Sequence, residues 1–205
     1  MKMKQWKVGI FLFDDVEVLD FAGPFEVFSV TSLENEERPF QVKTVSEQDK
    51  MIYARNGLKV MADYCFKNMP KFDILIIPGG VGAREKEIHN NKAIDWITSE
   101  MKNVQIMSSV CTGALLLAKA GLLDGKKATT HWASVDRLKK EFPQVDVQQG
   151  VKYVDEESII TSAGISAGIN MSFHIVRKLL GVHVALDTAK RMEYDIEFNG
   201  VKDII

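Results

Sequence analysis

The sequence predicts an α/β sandwich, a mostly parallel sheet covered by helices on both faces, and three observations predict it. Short apolar runs rich in β-branched residues alternate with helix-forming runs along the chain, and strands separated by helices pair in parallel. The run Ile74-Leu75-Ile76-Ile77 is apolar at every position, whereas a strand wetted on one face would alternate. Cys111 sits where the apolar run 104–110 stops and the Gly/Ala/Leu run 113–118 begins, a strand-to-helix bend of the nucleophile-elbow type.

The elements follow in order. Residues 7–13 are a first buried strand, turned by Asp14-Asp15. Residues 16–30 contain a helix with Pro24 near its first turn, where proline is tolerated. Residues 40–46 are a second strand. Asn56-Gly57 marks a hairpin-like turn between two short extended segments, the later one running towards Cys65. Residues 73–77 are a central strand, stopped by Pro78-Gly79-Gly80-Val81-Gly82. A helix over 92–102 and the 104–110 strand lead to the Cys111 helix. Lys126-Lys127 precede a short strand at 128–130, then a helix over 133–141. Residues 153–162 hold an extended pair with a turn near Asp155-Glu156-Glu157. A helix runs from Ala163-Gly164 to Leu180, and a last one spans 184–192. With no repeat, low-complexity tract or linker, the whole of 1–205 reads as one domain.

The 205 residues are 46% hydrophobic and 26% charged, with a net charge of −2. That is ordinary for a globular protein and gives no electrostatic reason for a nucleic-acid or anionic-membrane partner. No apolar run has membrane-spanning length, and the first residues lack a signal-peptide core. The expected location is therefore cytoplasmic. Two cysteines, Cys65 and Cys111, cannot make a disulfide framework or a metal cluster. His89, His131, His174 and His183 lack zinc-ligand spacing, so neither metal nor cofactor is expected.

Open parallel sheets bind ligands beyond the carboxyl ends of their strands, and those ends carry the chemistry-bearing residues. Unpaired N–H groups at the start of the helix after Cys111 are expected to favour thiolate over thiol. Asp20, among Leu19, Phe21 and Phe25, loses hydration there, which favours its neutral, proton-donating form; an N-cap for the adjoining helix explains it equally well. Gly79 and Gly80 allow close backbone approach, and their N–H groups with that of Thr112 can form an anion-stabilising pocket; a plain tight turn is the alternative. Thr112 can hydrogen-bond a substrate or cap its helix. His131 reaches Cys111 if neighbouring strand ends meet, and is otherwise structural. The run Gly164-Ile165-Ser166-Ala167-Gly168 faces the same rim. Cys65 reads as an apolar filler, Asp15 as a turn residue, and His174 and His183 as incidental.

Together the segments 11–24, 74–82, 108–132 and 161–169 resemble the ThiJ/PfpI superfamily, the cysteine-elbow branch of the class I glutamine amidotransferase-like fold. That resemblance implies a flavodoxin-like three-layer α/β/α sandwich and, by family habit, a homodimer. Leu19-Asp20-Phe21-Ala22-Gly23-Pro24, Ser109-Val110-Cys111-Thr112-Gly113, Gly121-Leu122-Leu123-Asp124-Gly125 with Ala128-Thr129-Thr130-His131-Trp132, and Gly164-Ile165-Ser166-Ala167-Gly168 are most similar to its isonitrile hydratase branch. Residues 192–198 resemble the tail of that branch. Relatives acting on peptides often carry histidine after the nucleophile or glutamate at the acidic position; here Thr112 and Asp20 stand there. Asn170 departs from the aspartate common in relatives, which bears on the charge of the pocket.

The branch implies a small-molecule substrate, R–N≡C, hydrated to an N-substituted formamide through a thioimidate. In that scheme Cys111 attacks, Asp20 supplies the proton and then activates water, and Thr112 with the Gly80 N–H holds developing charge. Gly79, His131, Gly164 and Ile165 complete the binding set. Two other classes share the pattern. Ligand-sensing domains of AraC-type regulators look similar through Cys111-Thr112-Gly113 and Thr129-Thr130-His131-Trp132, though the chain to Ile205 has no length for their helix-turn-helix module. A glyoxalase-like or redox-stress protein would use the thiolate on aldehydes or peroxide, and the lack of glutamate at position 20 weighs against it.

Overall fold

In the computed structural model, which describes residues 4–198 and 201–202, the apolar runs become the middle of one sheet. The early elements are β1 (Trp6–Leu12), α1 (Val18–Val30), β2 (Phe40–Ser46), the hairpin β3 (Met51–Tyr53) and β4 (Lys59–Met61), and β5 (Tyr64–Cys65). Then come β6 (Ile74–Ile77), α2 (Val81–Glu85), α3 (Asn91–Glu100), β7 (Ile106–Ser109) and α4 (Gly113–Lys119). β8 (Lys127–Ala128), α5 (Val135–Glu141), β9 (Asp146–Val147), β10 (Tyr153–Glu156), β11 (Ile159–Ser162), α6 (Ala167–Leu180) and α7 (Val182–Arg191) follow, with β12 (Glu197–Phe198) and β13 (Val201–Lys202) last.

Seven strands form the central sheet in the order β10-β11-β7-β6-β1-β2-β5. Its pairings are parallel except the β10–β11 edge hairpin. Two helical groups, α1 with α6 and α7, and α4 with α2 and α3, pack among themselves and against it. Every residue of β6 is buried, as a strand covered on both faces must be. This is the flavodoxin-like α/β fold. Register levels the strand ends: Ile77 and Thr161 both lie opposite Ser109. The chain therefore leaves β6, β7 and β11 at one level, bringing 78–80, 110–112 and 163–165 side by side.

Several boundaries differ from the sequence reading. The strand expected at 128–130 shrinks to Lys127–Ala128 and pairs with β9 in a separate ribbon, because the N–H of Thr129 is taken by the Thr161 hydroxyl at 2.9 Å. Pro24 lies inside α1 rather than in its first turn; lacking an N–H, it leaves the Asp20 carbonyl without the usual i+4 donor. The stop expected at Val81-Gly82 starts the short helix α2. α6 begins at Ala167, not at Gly164, because Ile165 adopts φ 50°. The Asn56-Gly57 turn lies where the hairpin reading put it, with both residues at positive φ.

Candidate active site

The elbow is built by backbone crowding. Cys111 holds φ 56°, a left-handed conformation that costs a non-glycine residue energy and is tolerated where surrounding structure over-determines it. Here its N–H donates to the Ala163 carbonyl at 3.2 Å, and its own carbonyl accepts from the Thr130 hydroxyl at 2.8 Å. Gly113 then starts α4 against β6: a Cβ there would lie 2.0 Å from the Ile77 carbonyl oxygen. Only glycine lets the helix begin so close to the strand.

Asp20 comes from the third position of α1 and is 0% exposed. It is no N-cap; Glu17 occupies that place and makes no side-chain cap. Instead Oδ2 accepts the Gly79 N–H at 2.9 Å. Oδ1 is sealed from solvent without a conventional donor. Burial is the main influence on this carboxyl, pushing its pKa up to about 7, and the charge of Glu17 adds to the rise. The Gly79 N–H and the Cys111 thiol, which donates towards the carboxyl, pull it back.

Cys111 is 5% exposed, and its pKa is pushed up to about 12 by burial first and by the charge of Asp20 second. The N–H groups of Thr112 and Ile165 and the Thr112 hydroxyl oppose that rise. This corrects the sequence expectation of a standing thiolate. A single short helix start does not offset desolvation next to a second acid, so the thiol stays protonated and the pair gains its one negative charge on Asp20 only as pH rises through about 7.

The glycine pair also has a different job from the one expected. The Gly79 N–H is spent on Asp20, and the Gly80 N–H donates to Thr112 Oγ1 at 2.9 Å. Neither points at the sulfur; the donors there are the backbone groups of Thr112 and Ile165. A Cβ on Gly79 would lie 2.5 Å from the Thr112 nitrogen and 3.0 Å from Asp20 Oδ2, so the glycine is what lets the Asp20 carboxyl and the Cys111 loop meet. Thr112 makes no side-chain cap. Its hydroxyl proton has two acceptors, the Gly80 carbonyl at 3.2 Å and the sulfur.

His131 packs its ring on Gly164, where a Cβ would meet Cδ2 at 2.1 Å. It arrives from the loop after β8, not from a strand of the central sheet. Its Nδ1 accepts the Ala133 N–H at 3.2 Å, which places the ring proton on Nε2. Burial and the nearby Arg84 lower its pKa against the pull of Glu17, so the ring is neutral at physiological pH. The sequence reading missed Glu17 and Arg84 as charges at the site; their signal was position alone, just past the carboxyl ends of β1 and β6.

Asn170 does not set the pocket charge. Its Oδ1 accepts the Tyr194 hydroxyl at 3.3 Å, tying α6 to the segment after α7. His174 is held by Asp155 at 2.7 Å and stacks on Tyr153, and Asp15 binds Lys86. Cys65 is half-buried on edge strand β5.

The family described as the DJ-1/PfpI family matches residues 6–178. Isonitrile hydratase of Pseudomonas putida is 33% identical over 94% of this chain and 78% of its own length. The HTH-type transcriptional regulator GbdR of Pseudomonas aeruginosa is 24% identical over 92% of this chain, which spans only 50% of the regulator. Among solved structures, a ThiJ/PfpI family protein from Pseudomonas syringae superposes with a TM-score of 0.81 at 25% identity. That likeness covers 96% of this chain and 79% of the other.

Proposed function

Since this chain belongs to the DJ-1/PfpI family, we propose that it is a cysteine-dependent enzyme that hydrates isonitriles to N-substituted formamides. One observation carries the reading: a buried carboxyl, its pKa pushed up to about 7, sits in hydrogen-bond contact with a buried thiol. The 33% likeness to an isonitrile hydratase points to the substrate class.

The reaction adds one proton and one nucleophile to the same carbon, and the pair supplies both. Ionised Asp20 takes the Cys111 proton as sulfur attacks the terminal carbon of R–N≡C. The Thr112 and Ile165 N–H groups and the Thr112 hydroxyl stabilise sulfur while it is anionic. Asp20 passes the proton to that carbon, giving the thioimidate R–N=CH–S–Cys111. Again a carboxylate, Asp20 takes a proton from water as its oxygen adds to the carbon, and delivers it to nitrogen. The C–S bond then breaks, the hydroxyl proton returns through Asp20 to sulfur, and R–NH–CHO leaves. A near-sealed thiol suits a substrate whose reacting end is a thin linear triple bond.

Formamide production from a simple isonitrile, followed by mass spectrometry in ¹⁸O water, tests this. The wild type is expected to incorporate one heavy oxygen, and Cys111→Ala and Asp20→Asn to abolish turnover. Full activity in either variant overturns the mechanism. A second reading, ligand sensing without turnover, is favoured by the likeness to a transcriptional regulator over 92% of the chain and by the high pKa of the thiol. Saturable isonitrile binding without product would establish it. Methylglyoxal consumption in the same assay would instead point to glyoxalase-like chemistry. The reading includes a homodimeric assembly, checked by sedimentation.

A further inference from the structure

Trp132 is 81% exposed, more than any other large apolar side chain among the described residues. It is not loosely placed. It opens a short 3₁₀ turn, 132–134, capped by His131 and running into α5. Beside it lies a groove of about 370 Å³, within the size range of small-molecule sites. Thr130 and Ala163 line the groove, and both are hydrogen-bonded to the Cys111 backbone. Trp132, Val135 and Val151 give it apolar walls, and Asp136 is its one ionisable group.

A chain of neighbouring residues leads there from the sulfur. The Ile165 N–H faces Sγ, Gly164 precedes it and carries the His131 ring, and the Trp132 ring stands 5.5 Å from that of His131. A rigid indole left in water at the end of such a path is a contact surface awaiting a ligand. We infer that the Trp132 groove receives the N-substituent of the substrate, and that it selects aromatic substituents over short alkyl ones. This rests on the isonitrile reading for the reacting end, but the groove itself is independent of turnover.

Two measurements separate the claims. In steady-state kinetics, Trp132→Ala should raise KM for benzyl isonitrile far more than for methyl isonitrile. The benzyl-over-methyl preference should drop about tenfold, the factor expected when roughly 60 Å² of apolar surface is covered, while kcat for the benzyl substrate is retained. Equal losses on both substrates would overturn the groove. In the second measurement, N-benzylformamide is titrated into Cys111→Ala protein while the Trp132 indole N–H resonance is followed, assigned by its loss in Trp132→Ala. A saturable shift is expected. No shift, with benzyl isonitrile still turned over by the wild type, removes the groove and leaves the hydratase. A saturable shift without turnover does the reverse, and failure of both removes both.

Discussion

Replacing Asp20 with Asn tests the buried carboxyl without requiring any substrate. Asn keeps the shape and can still accept the Gly79 N–H, but it cannot ionise. In the wild type the folded pKa of about 7 stands above the ordinary 3.8, so the fold prefers the protonated acid. Unfolded chains bind fewer protons than folded ones between those two values, and stability falls as pH rises through that window. The rise from 3.8 to about 7 is worth ~4 kcal/mol in full. Between pH 5 and pH 8 the wild type should lose about 2–3 kcal/mol of it. Asp20→Asn should therefore gain about 2–3 kcal/mol on the wild type at pH 8 beyond any difference at pH 5, an advantage of roughly 2–4 °C in Tm per kcal/mol. Guanidinium denaturation of both proteins at the two pH values measures this directly. An identical offset at pH 5 and pH 8, of either sign, would show that Asp20 is not held near pKa 7 and would refute the account of its burial.

The same carboxyl governs activity with the opposite sign. Protonated Asp20 cannot accept the thiol proton, so kcat/KM for an isonitrile should rise with pH through about 7 and level above it; a flat profile across that range would contradict the scheme. Thr112→Val removes the hydroxyl that bridges to Gly80, leaving that N–H unpaired. Thermal or chemical denaturation should register ~1–3 kcal/mol lost, with kcat reduced as well. Gly113→Ala places a Cβ 2.0 Å from the Ile77 carbonyl oxygen, and denaturant titration should show ~3 kcal/mol or more lost; wild-type stability would mean that α4 can start elsewhere.

Much of the fold was readable because it rests on burial patterns. The all-apolar β6 run and the Cys111 junction placed the sheet centre and the edge that carries the candidate site. β8 was misjudged because Thr129 and Thr130 have strand propensity but spend hydrogen-bonding groups on Thr161 and Cys111, partners far away in sequence. The site was legible as a set of residues and less so as chemistry. Which N–H groups face the sulfur depends on the left-handed turns at Cys111 and Ile165, which periodicity does not reveal. The protonation of Cys111 turned on a contest between a helix start and desolvation, and local sequence carries only the first. That Asp20 is no cap follows from its place inside α1 and from the Gly79 N–H, fifty-nine positions away, that its carboxyl accepts.

The crowding at Gly79 has a bearing on how this scaffold could be retooled. A methyl group at that one position would press on both the Cys111 loop and the Asp20 carboxyl, so a single substitution there disturbs both members of the proposed pair together. Mutational libraries aimed at new substrates should leave this floor intact and diversify the outer wall at Trp132, Val151 and Asp136, where variation alters what enters and spares the proton relay beneath.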